Sequence, residues 1–460
     1  MPNTLAEWLT YLESLHPKTI ALGLERVAQV KQRLNLQPEF PVIIVGGTNG
    51  KGSVCAMLES ILHAAGYRVG CYTSPHLLDY NERVRIAKQQ ASDAELCASF
   101  AQIEQVRGDI SLTYFEFGTL AAMQCFIEHK VDVAILEVGL GGRLDAVNVF
   151  DADCAVVASV DIDHVDYLGD TREQIAFEKA GIFRSGRVAI CADSAVPQAL
   201  RDHARQIGAE LWCIGSEFGF QLPSPASGRG AGGDGRGNEA QIVDAAPTLT
   251  LALSRPRERE QMLGQWDYRS KIGTRTALPH PALRGAFQLH NASAVLAVLD
   301  ALKDRLPASM EAVRRGLVEV QLAGRFQFVP GGPQLILDVA HNPHAARSLA
   351  DNLANLPPAK TFAVFAMLKD KDMAGVVRAL DERIDVWLVA GIAAPRGATS
   401  AELAQVLQNA QVRGVVKTCP TITDALHEAS NRASENDRIA AFGSFYTVAE
   451  VMRARGLRGH

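Results

Sequence analysis

Pro41-Val42-Ile43-Ile44-Val45-Gly46-Gly47-Thr48-Asn49-Gly50-Lys51-Gly52-Ser53 sets a short apolar, β-branched run against a glycine-rich turn that carries a lysine and a hydroxyl. An apolar run of this kind fits a strand buried on both faces of a parallel sheet. The glycines let backbone N–H groups turn inward onto oxyanions, the lysine neutralises phosphate charge, and the hydroxyl reaches Mg²⁺. A helix predicted over Ser53 to Ala65 adds its positive N-terminal end. The spacing departs from a strict G-x-x-x-x-G-K-[ST], because position 45 is valine and Gly52 separates Lys51 from Ser53. The competing local reading is a plain strand-to-helix turn with a solvated lysine.

Working outward, the same alternation recurs. Upstream, Thr4-Leu5-Ala6-Glu7 reads as a capping box ahead of a helix with Leu5, Trp8, Leu9, Leu12 and Leu15 at helical spacing. A polar break at His16-Pro17-Lys18-Thr19 precedes a second helix over Leu24 to Leu34. Downstream, strands are predicted at Tyr67 to Thr73, Val131 to Val138, Ala155 to Val160, Val188 to Ala192 and Glu210 to Ile214. Helices are predicted at Phe117 to Glu128, Arg172 to Ala180 and Pro197 to Ile207. Short β-branched runs alternating with helices give an α/β fold with a mainly parallel sheet covered on both faces.

After Phe220 the composition changes. Pro223 to Asn238 reads PSPASGRGAGGDGRGN, and Arg255 to Glu260 reads RPRERE. A Gly/Pro/Ser run followed by alternating charges cannot bury enough surface to order itself, so 223–261 is expected to be a disordered insertion. The alternative is a small β-appendage on Leu249 to Leu253. Folded pattern resumes near Trp266, with helices over Gln288 to Leu302 and Ser309 to Val318. A second α/β series has strands at Leu335 to Val339, Thr361 to Ala366, Val386 to Ala390, Gly414 to Thr418 and Ile439 to Phe442. The expected organisation is therefore an ATP-binding P-loop domain over 1–322 and a Rossmann-like α/β domain over 327–460.

Composition excludes several classes. Apolar residues make up 47% and charged residues 21%, with a formal net charge of −5, so nothing points to nucleic acid or an anionic membrane. No apolar stretch approaches the ~20 residues that span a bilayer, and the first residues lack the basic-then-apolar pattern of a signal peptide. The eight cysteines form no Cys-x-x-Cys pair and several lie in apolar segments, as expected of free thiols in a reducing cytoplasm.

Several residues carry candidate chemistry. The strand Val131 to Glu137 ends in a carboxylate, the position from which P-loop enzymes bring an acid to the metal, so Glu137 is a Mg²⁺ candidate. Asp161-Ile162-Asp163-His164 follows another buried strand and faces the usual ligand crevice. By donor chemistry alone Asp163 is the better Mg²⁺ ligand of the last two, since Mg²⁺ prefers oxygen. Thr113-Tyr114-Phe115-Glu116 opens a helix with aromatic rings, which usually means packing. Arg325 sits near the domain junction, and Asp338 and Asn342 read locally as helix caps.

The variant Gly47-Thr48-Asn49-Gly50-Lys51-Gly52-Ser53 resembles the Mur-ligase superfamily and, within it, the folylpolyglutamate synthase branch with its bifunctional dihydrofolate-synthase form. Further segments match in order: Thr73-Ser74-Pro75-His76-Leu77, Asn81-Glu82-Arg83-Val84, Glu137 to Ala146, Asp163-His164, Glu178-Lys179-Ala180-Gly181 and Asp338-Val339-Ala340-His341-Asn342-Pro343-His344. They span almost the whole chain outside 223–261.

The resemblance implies an ATP-dependent ligase that adds L-glutamate to dihydropteroate and to tetrahydrofolate through an acyl phosphate. It implies ATP contacts from Thr48, Asn49, Gly50, Lys51, Gly52, Ser53, Asn291, Arg325 and Asp338, with Lys51 and Arg325 also catalytic. It implies two Mg²⁺ ions held by Ser53, Ser74, Glu137 and His164, which moves the assignment from Asp163 to His164 and makes His164 catalytic as well. It further implies a carbamylated, catalytic Lys179. A pterin and folate pocket is implied at Lys18, Thr19, Ile20, Ala21, Arg83, Thr113, Tyr114, Phe115, Glu116, Leu144, Asp145 and Ala146. The expected partners are small molecules, and the expected assembly is a monomer. Rival readings are a polyglutamate synthase without the dihydropteroate reaction, a ligase for UDP-linked precursors, disfavoured because no uridine-nucleotide domain precedes the P-loop, and an NTPase switch.

Overall fold

The computed structural model describes residues 2–16, 20–223, 264–285 and 287–459. Lys18, Thr19 and positions 224–261 of the expected insertion lie outside these residues, as does the alternative at Leu249 to Leu253.

Eight strands build the first sheet: β1 (Val42–Gly46), β2 (Val69–Tyr72), β3 (Val84–Ile86), β4 (Gln89–Gln90), β5 (Val133–Glu137), β6 (Cys154–Val157), β7 (Val188–Cys191) and β8 (Glu210–Cys213). Their order is β4-β3-β2-β5-β1-β6-β7-β8, parallel except where β3 meets β2 and β4. Every residue of β1 and β5 is buried, which is why both read as unbroken apolar runs. β1 sits between β5 and β6, and successive crossovers leave it on opposite sides. That switch point opens a crevice at the strands' C-terminal ends, where the glycine turn lies.

One apolar layer packs Trp8, Phe100, Phe117 and Phe126 against the sheet, and the other packs the helices Lys51–Ala64, Gln288–Ala301 and Met310–Glu319. The helix Lys51–Ala64 begins two residues before its expected start, because left-handed Gly50 (φ +86°) is its N-cap. The capping box at Thr4 and Glu7 is present.

A three-stranded antiparallel sheet carries no expectation from the sequence: β9 (Phe218–Gln221), β10 (Gln265–Ser270) and β11 (Thr274–Pro279), ordered β11-β10-β9. Gln221 pairs with Asp267, so residues 224–263 depart from one strand and return to its neighbour. Trp266 and Tyr268 are fully buried, and Tyr268, Ser270 and Arg275 converge on Asp300 at 3.0, 2.6 and 2.6 Å.

The second α/β unit has β12 (Gln327–Val329), β13 (Gln334–Leu337), β14 (Thr361–Phe365), β15 (Val386–Val389), β16 (Val415–Thr418) and β17 (Arg438–Phe442). The order is β12-β13-β17-β14-β15-β16, parallel except for β12 at the edge. Trp387, Phe365 and Phe442 lie in mutual ring contact in its core. The chain is thus α/β throughout, with a mainly parallel sheet in each unit.

Candidate active site

Both sheets present their C-terminal edges to one cavity of about 670 Å³. Gly47 and Ala158 enter it just after β1 and β6, Glu137 from the last position of β5, and Asp338, Leu368 and Gly443 after β13, β14 and β17. Lys51, Arg83, Lys179 and Arg284 line it from the first unit and Arg325, Lys371, Arg396 and Arg453 from the second, against the carboxylates of Glu137, Asp163, Asp193 and Asp338. Twice as many cations as carboxylates suits polyanionic ligands.

The glycine turn is held before any ligand arrives. Thr48 N–H donates to Ser159 O at 2.8 Å, Asn49 N–H donates to Ser159 Oγ at 2.9 Å, and Thr48 Oγ1 donates to Asp161 O at 3.0 Å. This explains why β6 stops at Val157 and not at Val160: residues 158–161 brace the turn instead of extending the sheet. Lys51 Nζ donates to Gly47 O at 2.9 Å and Thr48 O at 3.3 Å, parked over the loop it closes. The N–H groups of Lys51, Gly52 and Ser53 precede the first intrahelical bond, Val54 N to Gly50 O, and are free for an anion. A Cβ on Gly50 would lie 2.7 Å from Asn291 Oδ1, so the close approach of Asn291 itself demands glycine.

Glu137 is buried at the end of β5. Its Oε2 accepts the Ser74 N–H at 3.1 Å; Oε1 has no hydrogen-bond partner among the described residues and looks toward Gly52. Burial pushes its pKa up, opposed by Lys51, the Ser74 N–H, Arg325 and Arg85. One open carboxylate oxygen in a cavity also lined by the Ser53 and Ser74 hydroxyls fits Mg²⁺, which keeps several waters and takes further ligands from phosphates. No group of three or more His, Cys, Asp or Glu poised for a metal occurs among the described residues, so a nucleotide would have to complete the shell.

Asp163 and His164 meet the second unit here. Lys371 Nζ lies 2.7 Å from Asp163 Oδ1 and 3.2 Å from His164 Nε2, and Asn342 Nδ2 donates to Asp163 Oδ2 at 3.1 Å. Burial opposes ionisation of Asp163, yet Lys371 and His164 hold its carboxyl well below the usual range. Burial and the Lys371 charge push His164 down to about 4, against the pull of Asp163, leaving a neutral imidazole that can ligate. Lys371 thus engages both Asp163 and His164 Nε2, and a metal at either would have to displace it.

Lys179 lines the same cavity and is only 3% exposed. Burial, then the nearby Lys51, push its amine down to about 7, against Asp163 and Asp145. Gly181 caps the helix as expected but in right-handed geometry (φ −61°), so it is not a left-handed cap. Its need for glycine is steric, since a Cβ would fall 2.3 Å from Arg143 Cβ. In the second unit, Asp338 accepts from Phe326 N–H and Ala340 N–H at 2.8 Å each, and Asn342 caps the helix Pro343–Ala354. The Arg325 guanidinium stacks 5.2 Å from Phe445.

Of the expected pterin and folate residues that are described, only Arg83 lines this cavity. Several others lie near it. Arg26 donates to Ala21 O at 2.7 Å and pairs with Glu116 at 3.1 Å, Gly23 N–H donates to Leu144 O at 3.3 Å, and Phe115 packs on Gly139. Thr113 and Glu116 form a capping box, so that carboxylate is engaged within the protein. Asp145 accepts from Leu140 and Val147 N–H, and burial pushes it up to about 7. Tyr114 lies 5.4 Å from the Arg83 guanidinium.

Sequence reasoning missed His76, Lys371, Arg396 and Arg453, all of which line the cavity. For Lys371 one signal was available, its position shortly after an apolar parallel strand, at the edge where ligands bind.

Residues 45–220 match the Mur ligase middle domain, and residues 324–445 match the Mur ligase glutamate ligase domain. The dihydrofolate synthase/folylpolyglutamate synthase of Escherichia coli K12 is 43% identical over 452 residues, covering 98% of this chain and 95% of that protein. The structure of E. coli FolC in complex with DHPP and ADP matches with a TM-score of 0.86 and 42% identity, covering 99% of both chains. A bifunctional folylpolyglutamate synthase/dihydrofolate synthase with Mn, AMPPNP and L-glutamate bound matches with a TM-score of 0.84 and 44% identity, covering 99% of this chain and 98% of that one.

Proposed function

Because this chain belongs to the dihydrofolate synthase/folylpolyglutamate synthase family of Mur ligases, we propose that it joins L-glutamate to dihydropteroate and to tetrahydrofolate at the expense of ATP. The observation that carries this reading is the single cavity in which the glycine turn, a buried carboxylate and a surplus of cations from both units converge. No Ser/His/Asp or Cys/His constellation is needed, because the substrate's own carboxylate is the nucleophile.

A carboxylate oxygen of the pteroyl or folyl substrate attacks the γ-phosphorus of ATP. The bond to the bridging oxygen breaks, and ADP leaves. Lys51, Arg325 and the N–H groups at the start of the helix Lys51–Ala64 stabilise the charge that spreads over the transferring group. Ser53, Ser74 and Glu137 would hold a divalent ion, which when bound would further neutralise phosphate oxygens. Thr48, Asn49, Asn291 and Asp338 hold the nucleotide. The amine of glutamate then attacks the acyl carbon, and phosphate departs from the tetrahedral intermediate. The amine sheds one proton as the amide forms. Closure of the two units around the cavity protects the acyl phosphate from water.

We further assign a second ion to His164 and to a carbamate on Lys179. A free ammonium there would repel the ion, whereas a carbamate offers anionic oxygen. Ile20, Ala21, Arg83, the segment Thr113 to Glu116 and Leu144 to Ala146 would receive the pterin and benzoate, with Lys18 and Thr19 completing that segment. Among the described residues no helix is long and apolar enough to cross a membrane, and the eight free cysteines fit a reducing cytoplasm.

The test is ADP release with dihydropteroate or tetrahydrofolate, each with and without glutamate. The reading requires all three reactants together. ADP release with neither acceptor nor glutamate present would mark an NTPase switch, and activity on tetrahydrofolate alone would leave a polyglutamate synthase.

A further inference from the structure

Among the cavity's cations, Arg83 and Arg453 make no ion pair with a carboxylate among the described residues, whereas Lys371 and Arg396 are paired with Asp163 and Asp370. Arg83 is nonetheless firmly held. Its Nε donates to His76 Nδ1 at 2.9 Å, and its guanidinium stacks 5.3 Å from Tyr80 and 5.4 Å from Tyr114. Its two terminal nitrogens have no partner among the described residues. Arg453 projects from the other unit, from the last turn of the helix Phe445–Ala454, and its nearest hydrogen-bond contact is a long one, to Leu78 O at 3.4 Å.

His76 takes the Arg83 hydrogen bond, and Leu78, two residues on in the same loop, accepts from Arg453. With Nδ1 accepting from Arg83, the His76 proton sits on Nε2, a third donor beside the two guanidiniums. The nearby Glu82 carboxylate is spent on the N–H groups of Leu77, Leu78 and Asp79, so the two arginines and the N–H offer donors suited to an incoming carboxylate. A purely structural account of Arg453 is that it complements its helix's C-terminal end. That role needs charge near the helix terminus but does not need the side chain to cross to the loop of the other unit.

The chemistry of the two substrates says which carboxylate belongs there. Dihydropteroate has one carboxylate, and it reacts. A folylglutamate has two on its terminal residue, one that reacts and one that must stay an anion a few bonds away. Ser74, at the reacting end of the cavity, is only two residues from His76.

We propose that Arg83 and Arg453, one from each unit, grip the non-reacting carboxylate of a folylglutamate, and that Arg453 thereby sets the preference for extending a glutamate chain over starting one. This rests on the function proposed above, in which one site serves both substrates.

The experiment compares kcat/KM for dihydropteroate and tetrahydrofolate in the full-length enzyme, Arg453→Gln and Arg453→Lys. In Arg453→Gln the tetrahydrofolate value falls at least about tenfold further than the dihydropteroate value, mainly through KM, as for loss of a charged hydrogen bond. Arg453→Lys recovers part of that loss. A tetrahydrofolate whose non-reacting carboxylate is converted to an amide penalises wild type, and the penalty is smaller in Arg453→Gln, where Arg83 alone still meets the carboxylate. Dihydropteroate turnover in the same preparation reports that the variant is folded. Equal losses on the two substrates, or an undiminished amide penalty in Arg453→Gln, would overturn the proposal. A wild-type enzyme that releases ADP with neither substrate would instead overturn the proposed function.

Discussion

Lys179 is best probed by removing carbon dioxide. A carbamate forms only on a neutral amine, so its formation follows the free-amine fraction. Burial and Lys51 bring this amine from 10.5 to about 7. At pH 7.5 an ordinary lysine is neutral in about one molecule per thousand, whereas a group near 7 is neutral in most, a gain approaching a thousandfold. The pH dependence separates the cases. At fixed dissolved CO₂, reloading of stripped enzyme should slow about tenfold from pH 8 to pH 6 for an amine near 7, against about a hundredfold for an unshifted lysine. The assay is degassing, re-addition of ¹³CO₂, carbon NMR of the carbamate, and ADP release followed in parallel. Lys179→Ala should lose most activity and the NMR signal, and formate or acetate should restore part of the activity. A wild-type spectrum without a Lys179-dependent signal, or full activity in Lys179→Ala, would refute the reasoning.

Other perturbations follow from the same geometry. Lys371→Met leaves Asp163 unpaired across the two units, with side chains that are 7% and 11% exposed, and should lower unfolding stability at pH 7 by about 3 kcal/mol in urea titrations. Asp163 has its folded pKa below its unfolded value, so the stabilisation is present above about pH 4 and is lost as pH falls through the folded value. The gap between wild type and variant should therefore narrow in acid, and a pH-independent gap would contradict the ion pair. Gly50→Ala forces φ +86° on alanine and a 2.7 Å approach to Asn291 Oδ1. It should reduce kcat/KM for ATP by about tenfold or more, which initial-rate measurements would detect. Replacing residues 224–261 by a short Gly/Ser linker should keep kcat/KM within about a few-fold for both folate substrates, and a hundredfold loss would mean that the segment touches a substrate.

What could be read from the chain was whatever its chemistry places locally. The run from Val42 to Ser53 announced a buried strand, a glycine turn and a helix, and all three stand where expected within two residues. The second α/β series was equally plain, because parallel strands buried on both faces leave unbroken apolar runs. The antiparallel sheet was not, since β9 and β10 flank a compositionally biased stretch and a register shift between Trp266 and Tyr268 interrupts the pairing of β10 with β11. Cross-unit contacts were hidden for a different reason. Lys371 sits in Lys369-Asp370-Lys371-Asp372, a charge alternation that reads as a solvated turn, and only the fold brings it to Asp163. Arg453 and Leu78 are distant in sequence, and only the fold brings the guanidinium to the Leu78 carbonyl.

The pairing of Gln221 with Asp267 also bears on how this chain can change over generations. Two neighbouring strands already pin the ends of the intervening stretch, so its closure entropy is largely settled by the sheet. Each doubling of such a stretch adds only about 0.6 kcal/mol. Additions and deletions there are close to neutral as far as folding is concerned, while one residue inserted into β1 would slip the strand that aims the glycine turn. Drift in length should therefore accumulate between β9 and β10, and a reporter tag or a second domain grafted there would leave both cores untouched.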